Sequence, residues 1–158
     1  MKKCFYLPVI FILFLFTACP KEDTENCHYS ISITNDSHLD VYFRIATDTS
    51  GTHYSPSAMV SNAYFYKINA HESIIKKQRS CIEYEFTKGT AFSDGRYGLL
   101  DSLRVYIFDA QVLEKELKYK TLRRYDLTLE DLRKLNWTVT YPPTEEMNDI
   151  VMYPPYGQ

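Results

Sequence analysis

Apolar and polar residues alternate with a period of two along much of this chain. The pattern is clear in residues 29–34, 39–45, 103–107 and 137–141. Successive side chains of a β-strand point to opposite faces of its sheet, so each segment predicts a strand with one buried face. The chain also carries 14 Tyr and 9 Phe against 5 Gly, and aromatic residues are enriched in strands.

Seven or so such segments, separated by turn residues, predict an all-β fold. We expect an antiparallel β-sandwich, immunoglobulin-like or similar, with a small barrel as the alternative. Residues 29–45 predict a hairpin and residues 82–86 a further strand. One or two short helices are expected near the C-terminus: one over residues 110–118, and one that Thr128 begins, with Asp131 completing a capping box.

The N-terminal segment has the organisation of a targeting signal. Lys2 and Lys3 precede a nearly unbroken apolar run of twelve residues, Phe5 to Phe16. As a helix this run would reach about 18 Å, against about 30 Å for the hydrocarbon core of a bilayer. It is too short to span a membrane and predicts a signal peptide.

The end of this signal resembles the lipobox of bacterial lipoproteins. The residues are Phe16-Thr17-Ala18-Cys19, with Phe16 in place of the usual Leu. The resemblance implies that Cys19 receives lipid, that cleavage follows Ala18, and that the new N-terminus is acylated, which gives the two or more chains that stable anchoring needs. The alternative is an ordinary secretory signal with an incidental Cys. The expected organisation is a signal peptide at 1–18, a lipidated Cys and polar tether at 19–27, and a β-sandwich domain at 28–158.

The tether carries a second resemblance. Lys21, Glu22 and Asp23 place a Lys and two acids just after the lipidated Cys, as in the surface-export signal of Bacteroidetes-type lipoproteins. This implies an outer-membrane protein whose domain is exposed at the cell surface. The alternative is a plain polar spacer, with the domain on the periplasmic face.

Two cysteines remain once Cys4 leaves with the signal and Cys19 carries lipid. Export leads to an oxidising compartment, where Cys27 and Cys81 could pair in a disulfide. They could equally remain two separately buried thiols.

The C-terminal part of the chain contains the stretch Asp101–Asp109 and then Leu122-Arg123-Arg124-Tyr125-Asp126-Leu127-Thr128-Leu129-Glu130-Asp131-Leu132-Arg133-Lys134-Leu135-Asn136-Trp137, followed by Tyr141-Pro142-Pro143. With these segments the chain resembles a family of small lipoproteins of gut Bacteroidales, and the resemblance covers most of the mature chain. It implies a location and a rough fold. No activity is assigned to that family, so the resemblance implies no catalytic residue.

No group of residues in the sequence forms a recognisable catalytic or metal-binding motif. The four His residues are far apart in the sequence and are expected to lie separately in exposed loops, so we expect no metal site and no cofactor. Glu83 and Glu85 are expected on the solvated face of a strand. A nucleophile–base pair of Cys81 and His71 is disfavoured, because nothing in the sequence orients the imidazole ring of His71.

The sequence therefore predicts a non-enzymatic envelope domain that acts by contact with an unknown protein or glycan partner. The membrane is reached through the lipid anchor. A net charge of −2 argues against nucleic acid. The alternative function is a glycan- or ligand-binding module that uses the aromatic rings of Tyr54, Tyr64 and Tyr66.

Overall fold

The computed structural model describes residues 22–46, 55–61, 66–91 and 97–158. Within these ranges the protein is mostly β, with antiparallel sheets and a few short helices. The strands are β1 (Ser30–Asn35), β2 (Val41–Ala46), β3 (Tyr66–Ile68), β4 (Glu72–Lys77), β5 (Thr90–Ala91), β6 (Tyr97–Gly98), β7 (Leu103–Asp109), β8 (Thr121–Leu127), β9 (Thr138–Tyr141) and β10 (Val151–Tyr153). The α-helices are α1 (Pro56–Ser61), α2 (Ile82–Thr87), α3 (Ala110–Glu116) and α4 (Leu129–Lys134). None of these described helices has the length and apolar character needed to cross a membrane.

The larger sheet has five strands in the order β10-β8-β7-β2-β3, all antiparallel to their neighbours. Its central strand β7 was the clearest strand in the sequence, and its apolar residues Leu103, Val105 and Ile107 are buried as predicted. The smaller sheet has the order β4-β1-β9, and a separate two-stranded pair joins β5 to β6.

Strand β1 departs from the predicted antiparallel hairpin in two ways. It pairs antiparallel with β4 and parallel with β9, while β2 belongs to the larger sheet. The hairpin prediction is therefore wrong: the chain crosses from one sheet to the other between Asn35 and Val41. The side chain of Asn35 is fully buried and binds the carbonyl oxygens of Leu39, Ile68 and Asn69, which fixes this crossing in place.

Buried side chains from both sheets form one apolar cluster. Ile31, Ile33 and Val139 come from the smaller sheet, and residues of β2, β7 and β8 come from the larger one. A second cluster covers the other face of the larger sheet, where Met59 of α1 and Leu113 of α3 join Tyr42, Tyr106 and Phe108. The arrangement is sandwich-like, with one of its sheets covered on both faces.

Helix α2 replaces the strand predicted at residues 82–86. Apolar residues at 82 and 86 fit one face of a helix as well as one face of a strand, so the short pattern was ambiguous. In the helix Ile82 is buried, Glu83 turns inward and Tyr84 is exposed. Helices α1 and α2 are additional to the one or two short helices expected near the C-terminus.

Helices α3 and α4 confirm the two predicted near the C-terminus. In α4 the Thr128 hydroxyl accepts a hydrogen bond from the backbone N–H of Asp131 at 3.2 Å, and the Asp131 carboxylate accepts one from the N–H of Thr128 at 2.8 Å. This reciprocal pair is the predicted capping box. Asn136, just beyond the helix, adopts a left-handed conformation with φ +47°, which Asn tolerates better than most residues.

Replacing Thr128 with alanine should lower the free energy of unfolding by about 1 kcal/mol, because the first turn of α4 loses its side-chain acceptor. Urea unfolding followed by circular dichroism measures the change. Thr128→Ser keeps the hydroxyl and should stay close to the wild type. Equal losses in the two variants would contradict a capping role.

The structure continues after Tyr141-Pro142-Pro143, where the sequence predicted the last strand to stop. A short 3-10 helix at Glu145–Met147 leads into β10, which pairs with β8 at the edge of the larger sheet. The buried Arg123 guanidinium donates to the carbonyl oxygens of Pro154 and Pro155 and so holds the chain after β10 against the domain.

Candidate functional site

A disulfide joins Cys27, at the start of the domain, to Cys81, just before α2. The two Cα atoms are 5.3 Å apart, within the usual range for a bridge, and the residues are 54 positions apart in the chain. Cys81 is buried and Cys27 is half-buried. The pairing that the sequence left open is therefore present in the structure.

The bridge brings His28 next to Glu83. The backbone N–H of His28 donates to Oε2 of Glu83 at 2.8 Å, and the imidazole donates from Nδ1 to Oε1 at 2.6 Å. Glu83 is only 5% exposed, so its carboxylate is a buried anion held by two donors. Burial raises the pKa of the Glu83 carboxyl, but the hydrogen bonds from His28 outweigh it, and the pKa lies below its ordinary value.

Trp137 supports the other side of the imidazole. The two rings stack with centroids 4.0 Å apart and planes 17° apart. Trp137 itself is in the left-handed region at φ +59°, and its backbone N–H donates to the carbonyl of Leu132 at 2.8 Å. The turn after α4 thus places the indole against the ring of His28.

A groove of about 290 Å³ opens beside this cluster on the outer face of the smaller sheet. It is lined by Asp23, His28, Ser30, Ser32, Ile75, Asn136, Trp137 and Thr138. Asp23, Ser30, Ser32 and Thr138 contribute a carboxylate and hydroxyls to this lining, Trp137 and Ile75 contribute apolar surface, and Ile75 is 65% exposed. The groove therefore offers hydrogen-bond donors and acceptors to a polar ligand, beside apolar surface from Ile75 and Trp137.

Asp23 closes one end of the groove. Its carboxylate accepts hydrogen bonds from the backbone N–H of Tyr29, at 2.5 Å, and from the Ser30 hydroxyl. Burial raises the pKa of Asp23, and these hydrogen bonds lower it by more, so the pKa is below its ordinary value. The carboxylate is ionised at neutral pH and serves as an acceptor rather than as a proton donor.

Sulfur and carboxylate ligands also meet here. In the described residues, Cys27, Cys81 and Glu83 place one ligand atom each within 4.8 Å of one another. Metal binding by Cys needs the thiolate, and in the structure the two sulfurs are bonded to each other. The cluster does not fit a metal while the bridge is intact.

Several residues singled out in the sequence fall outside this site. Ala18, Cys19, Lys21, Tyr54 and Tyr64 lie outside the described residues. Tyr66 belongs to β3 in the larger sheet, away from the strands that form the groove. Of the tether acids, Glu22 is exposed and Asp23 binds the domain.

Two expectations about reactive side chains are wrong. Glu83 is not on a solvated strand face, because α2 turns it inward onto His28. The pairing of Cys81 with His71, which the sequence disfavoured, does not occur: the Cys81 sulfur is bonded to Cys27 and the His71 ring contacts His38. The His residues are also not all separate and exposed: His28 is half-buried against Trp137, and His38 and His71 meet. His53 lies outside the described residues.

Sequence reasoning missed the His28–Glu83 pair, although a signal for it existed. His28 follows one bridged Cys by one position and Glu83 follows the other by two. Once the two cysteines are assumed to pair, the backbones that carry the imidazole and the carboxylate lie close together, and α2 then turns Glu83 toward His28.

The stabilising effect of Glu83 should be lost in acid. Because its pKa in the folded state is lowered, its contribution is fully present above the ordinary value of 4.5 and disappears as the pH falls through the folded-state pKa. At pH 7, Glu83→Gln should lower the free energy of unfolding by about 2 kcal/mol, since the amide supplies one acceptor where the carboxylate supplied two. Urea unfolding at a series of pH values should show this difference shrinking below pH 4.5.

Glu85→Gln is the matched control for this titration. Glu85 lies in the same helix and accepts a hydrogen bond from the Ser80 hydroxyl at 2.5 Å, in an exposed setting. Its substitution should change stability by less than Glu83→Gln at pH 7. A constant difference between Glu83→Gln and the wild type across all pH values would contradict the ionised, doubly bonded carboxylate.

Comparison of the chain with protein-family models, with curated proteins and with solved structures finds no match, so the assignment of function rests on the residues and geometry described above.

Proposed function

We propose that this chain is a lipid-anchored protein of the bacterial envelope, which acts without catalysis as a surface interaction or accessory domain. The apolar run Phe5–Phe16 and the lipobox-like ending at Cys19 support the anchor. The polar segment after Cys19 supplies a tether that leads into the domain at Cys27.

The Cys27–Cys81 disulfide is the observation that carries this proposal. Disulfides form and persist in oxidising compartments and are rare in the cytosol. The bridge also lies eight positions after Cys19, where the tether meets the domain. Tension applied through the anchored tether would act on this covalent link before it acted on β1. This arrangement suits a domain held at a membrane by its N-terminus.

The finer architecture forms part of the same proposal. We infer that the two sheets form a β-sandwich of immunoglobulin-like or similar type. The apolar cluster shared by Ile33, Val139, Phe43 and Val105, which come from opposite sheets, supports this inference. The parallel pairing of β1 with β9 departs from a purely antiparallel sandwich.

Contact rather than catalysis is supported by the occupied state of the reactive groups. Both oxygens of Glu83 accept hydrogen bonds, and the sulfurs of Cys27 and Cys81 are bonded to each other. Neither the carboxylate nor the sulfurs are poised to attack or protonate a substrate.

A glycan- or ligand-binding module is the second candidate. The groove on the smaller sheet favours it, because Ser30, Ser32, Thr138 and Asp23 present hydroxyl and carboxylate groups along one open face. Such groups match the hydroxyls of a sugar. The contribution of Tyr54, Tyr64 and Tyr66 to ligand binding remains a part of this second proposal.

Metabolic labelling with an alkyne-tagged fatty acid tests the anchor. The wild type should be labelled and Cys19→Ala should not, because the thiol is the lipid acceptor. Cys4→Ala is the matched control: it removes the other Cys of the signal region and should leave labelling intact. Equal labelling of Cys19→Ala and wild type would remove the anchor from the proposal.

Protease treatment of intact cells tests which membrane face the domain occupies. We propose the cell surface, supported by the Lys21-Glu22-Asp23 segment, so the domain should be digested without lysis. Digestion that requires permeabilised cells would place it on the periplasmic side. A periplasmic marker protein that survives the treatment shows that the cells remained intact.

A further inference from the structure

Two histidines 33 positions apart meet at one end of the domain. His38 lies in the connection from β1 to β2 and His71 in the turn before β4. Nε2 of His71 is 3.1 Å from Nδ1 of His38, and both rings are exposed. The ring centroids are 4.9 Å apart with planes at 75°, so the two rings meet edge to face.

The far side of His71 faces a carboxylate. Oδ1 of Asp36 lies 3.7 Å from Nδ1 of His71. A carboxylate beside one ring nitrogen favours the proton on that nitrogen and leaves the other with a free lone pair, an arrangement common around metal-binding His residues. The lone pair on Nε2 then points at His38.

The backbone holds the two rings in this position without a metal. The side-chain amide of Asn35 donates to the backbone carbonyl of Leu39, next to His38, and to that of Asn69, two positions before His71. The side-chain oxygen of Asn35 accepts a hydrogen bond from the backbone N–H of Ser37. His71 itself is fixed in the left-handed region at φ +61°. The backbone that carries the two exposed rings is therefore pre-organised by the buried Asn35 side chain, which reduces the entropy lost when a ligand binds.

We propose that His38 and His71 bind one borderline divalent cation of the Zn²⁺ or Cu²⁺ type, with Asp36 orienting His71. Metal–imidazole bonds of about 2.0–2.1 Å span the 3.1 Å between the nitrogens at an N–metal–N angle of about 100°. That angle lies between the tetrahedral and octahedral values, so the separation of the two nitrogens matches that of two ligands on one ion. The proton shared at Nδ1 of His38 moves through solvent to Nε2 of the same ring.

The site would have two structural consequences. The β1–β2 connection and the turn before β4 each run between the two sheets, so a shared ion would cross-link them at this end. Two His ligands also leave positions on the ion open toward solvent. Water fills these positions in the isolated protein, and a carboxylate from a partner can replace it.

Isothermal titration of Zn²⁺ into the full-length protein tests the proposal. The protein is purified in detergent without a histidine tag, stripped with a chelator, and kept free of reductant so that the Cys27–Cys81 bridge stays closed. One equivalent should bind. His38→Asn and His71→Asn should each weaken binding at least tenfold, and Asp36→Asn severalfold. Asparagine is chosen because it tolerates the left-handed backbone at position 71.

His53→Asn is the matched control, since it removes a His that is not part of the proposed pair and should leave the affinity unchanged. Electron paramagnetic resonance with Cu²⁺ adds a reading independent of affinity: coupling to two imidazole nitrogens in the wild type, and to one in His38→Asn. Absence of Zn²⁺ binding, or binding that survives both His38→Asn and His71→Asn in folded protein, would overturn the site. Neither result depends on lipidation.

Discussion

Replacing Cys27 and Cys81 together with alanine is expected to lower the free energy of unfolding by about 4 kcal/mol. The bridge closes a loop of 54 residues, and this closure restricts the unfolded chain far more than the folded one. Domains of this size are stable by about 5–15 kcal/mol, so the loss removes a large part of the total. Urea unfolding should show a lower midpoint, and thermal unfolding a melting temperature lower by on the order of 10 °C.

Reductant provides the control for this substitution. Dithiothreitol should shift the wild-type midpoint toward that of the double variant and leave the double variant unchanged, because the latter has no bridge to break. A wild type that unfolds at the same urea concentration with and without dithiothreitol would show that the bridge contributes little.

The bridge also determines the local structure around the groove. It fixes the start of the domain beside α2, and His28 and Glu83 then meet as direct neighbours of the two sulfurs. In the double variant we therefore expect the groove to loosen, since His28 loses the link that holds its backbone against α2. The stability of the fold and the shape of the groove are coupled through one covalent bond.

The elements predicted correctly from the sequence are those whose signals are local. Strand β7 has buried apolar residues at every second position from Leu103 to Ile107, and α4 has its cap Thr128 and its first-turn acid Asp131 three positions apart. Each of these features acts between residues a few positions apart. No distant contact was needed to predict them.

The predictions that failed depended on distant partners. Residues 82–86 fit a strand or a helix equally well, and the choice follows from the bridge at Cys81 and the burial of Glu83 on His28. Strands β1 and β2 look like a hairpin, but pairing with β9 and β7, far along the chain, separates them into two sheets. The alternation of side chains shows which face of a strand is buried and does not show which strand lies beside it.

The candidate sites were harder to predict than the fold. The His28–Glu83 pair needs the disulfide, and the His38–His71 pair needs two crossings between sheets to bring residues 33 positions apart into contact. Neither pair has the spacing of a known motif, and the positions of His28 and Glu83 beside the two cysteines become informative only once the bridge is assumed. Both are consequences of topology, and topology was the weakest part of the sequence prediction.

The side chain of Asn35 is the centre of the crossing between the sheets. It is fully buried at the end of β1, and its amide nitrogen lies 2.7 Å from the carbonyl oxygen of Leu39, 3.0 Å from that of Asn69 and 3.2 Å from that of Ile68. Its oxygen accepts hydrogen bonds from Ser37. Both ends of the amide are therefore used, and no isosteric side chain supplies a donor and an acceptor in the same places.

Asn35→Asp is expected to lower the free energy of unfolding by about 3 kcal/mol or more at pH 7. The substitution keeps the shape but turns the donor into an oxygen, so three carbonyl oxygens face a buried negative charge instead of an N–H group. Urea unfolding measures the loss, and Asn26→Asp, at an exposed position, should change it by less than about 0.5 kcal/mol. In acid the difference from the wild type should shrink, because the protonated carboxyl regains one donor. Unchanged stability of Asn35→Asp would show that the crossing between the sheets does not depend on this amide. The variant should also bind Zn²⁺ less tightly, since the same hydrogen bonds position His38 and His71.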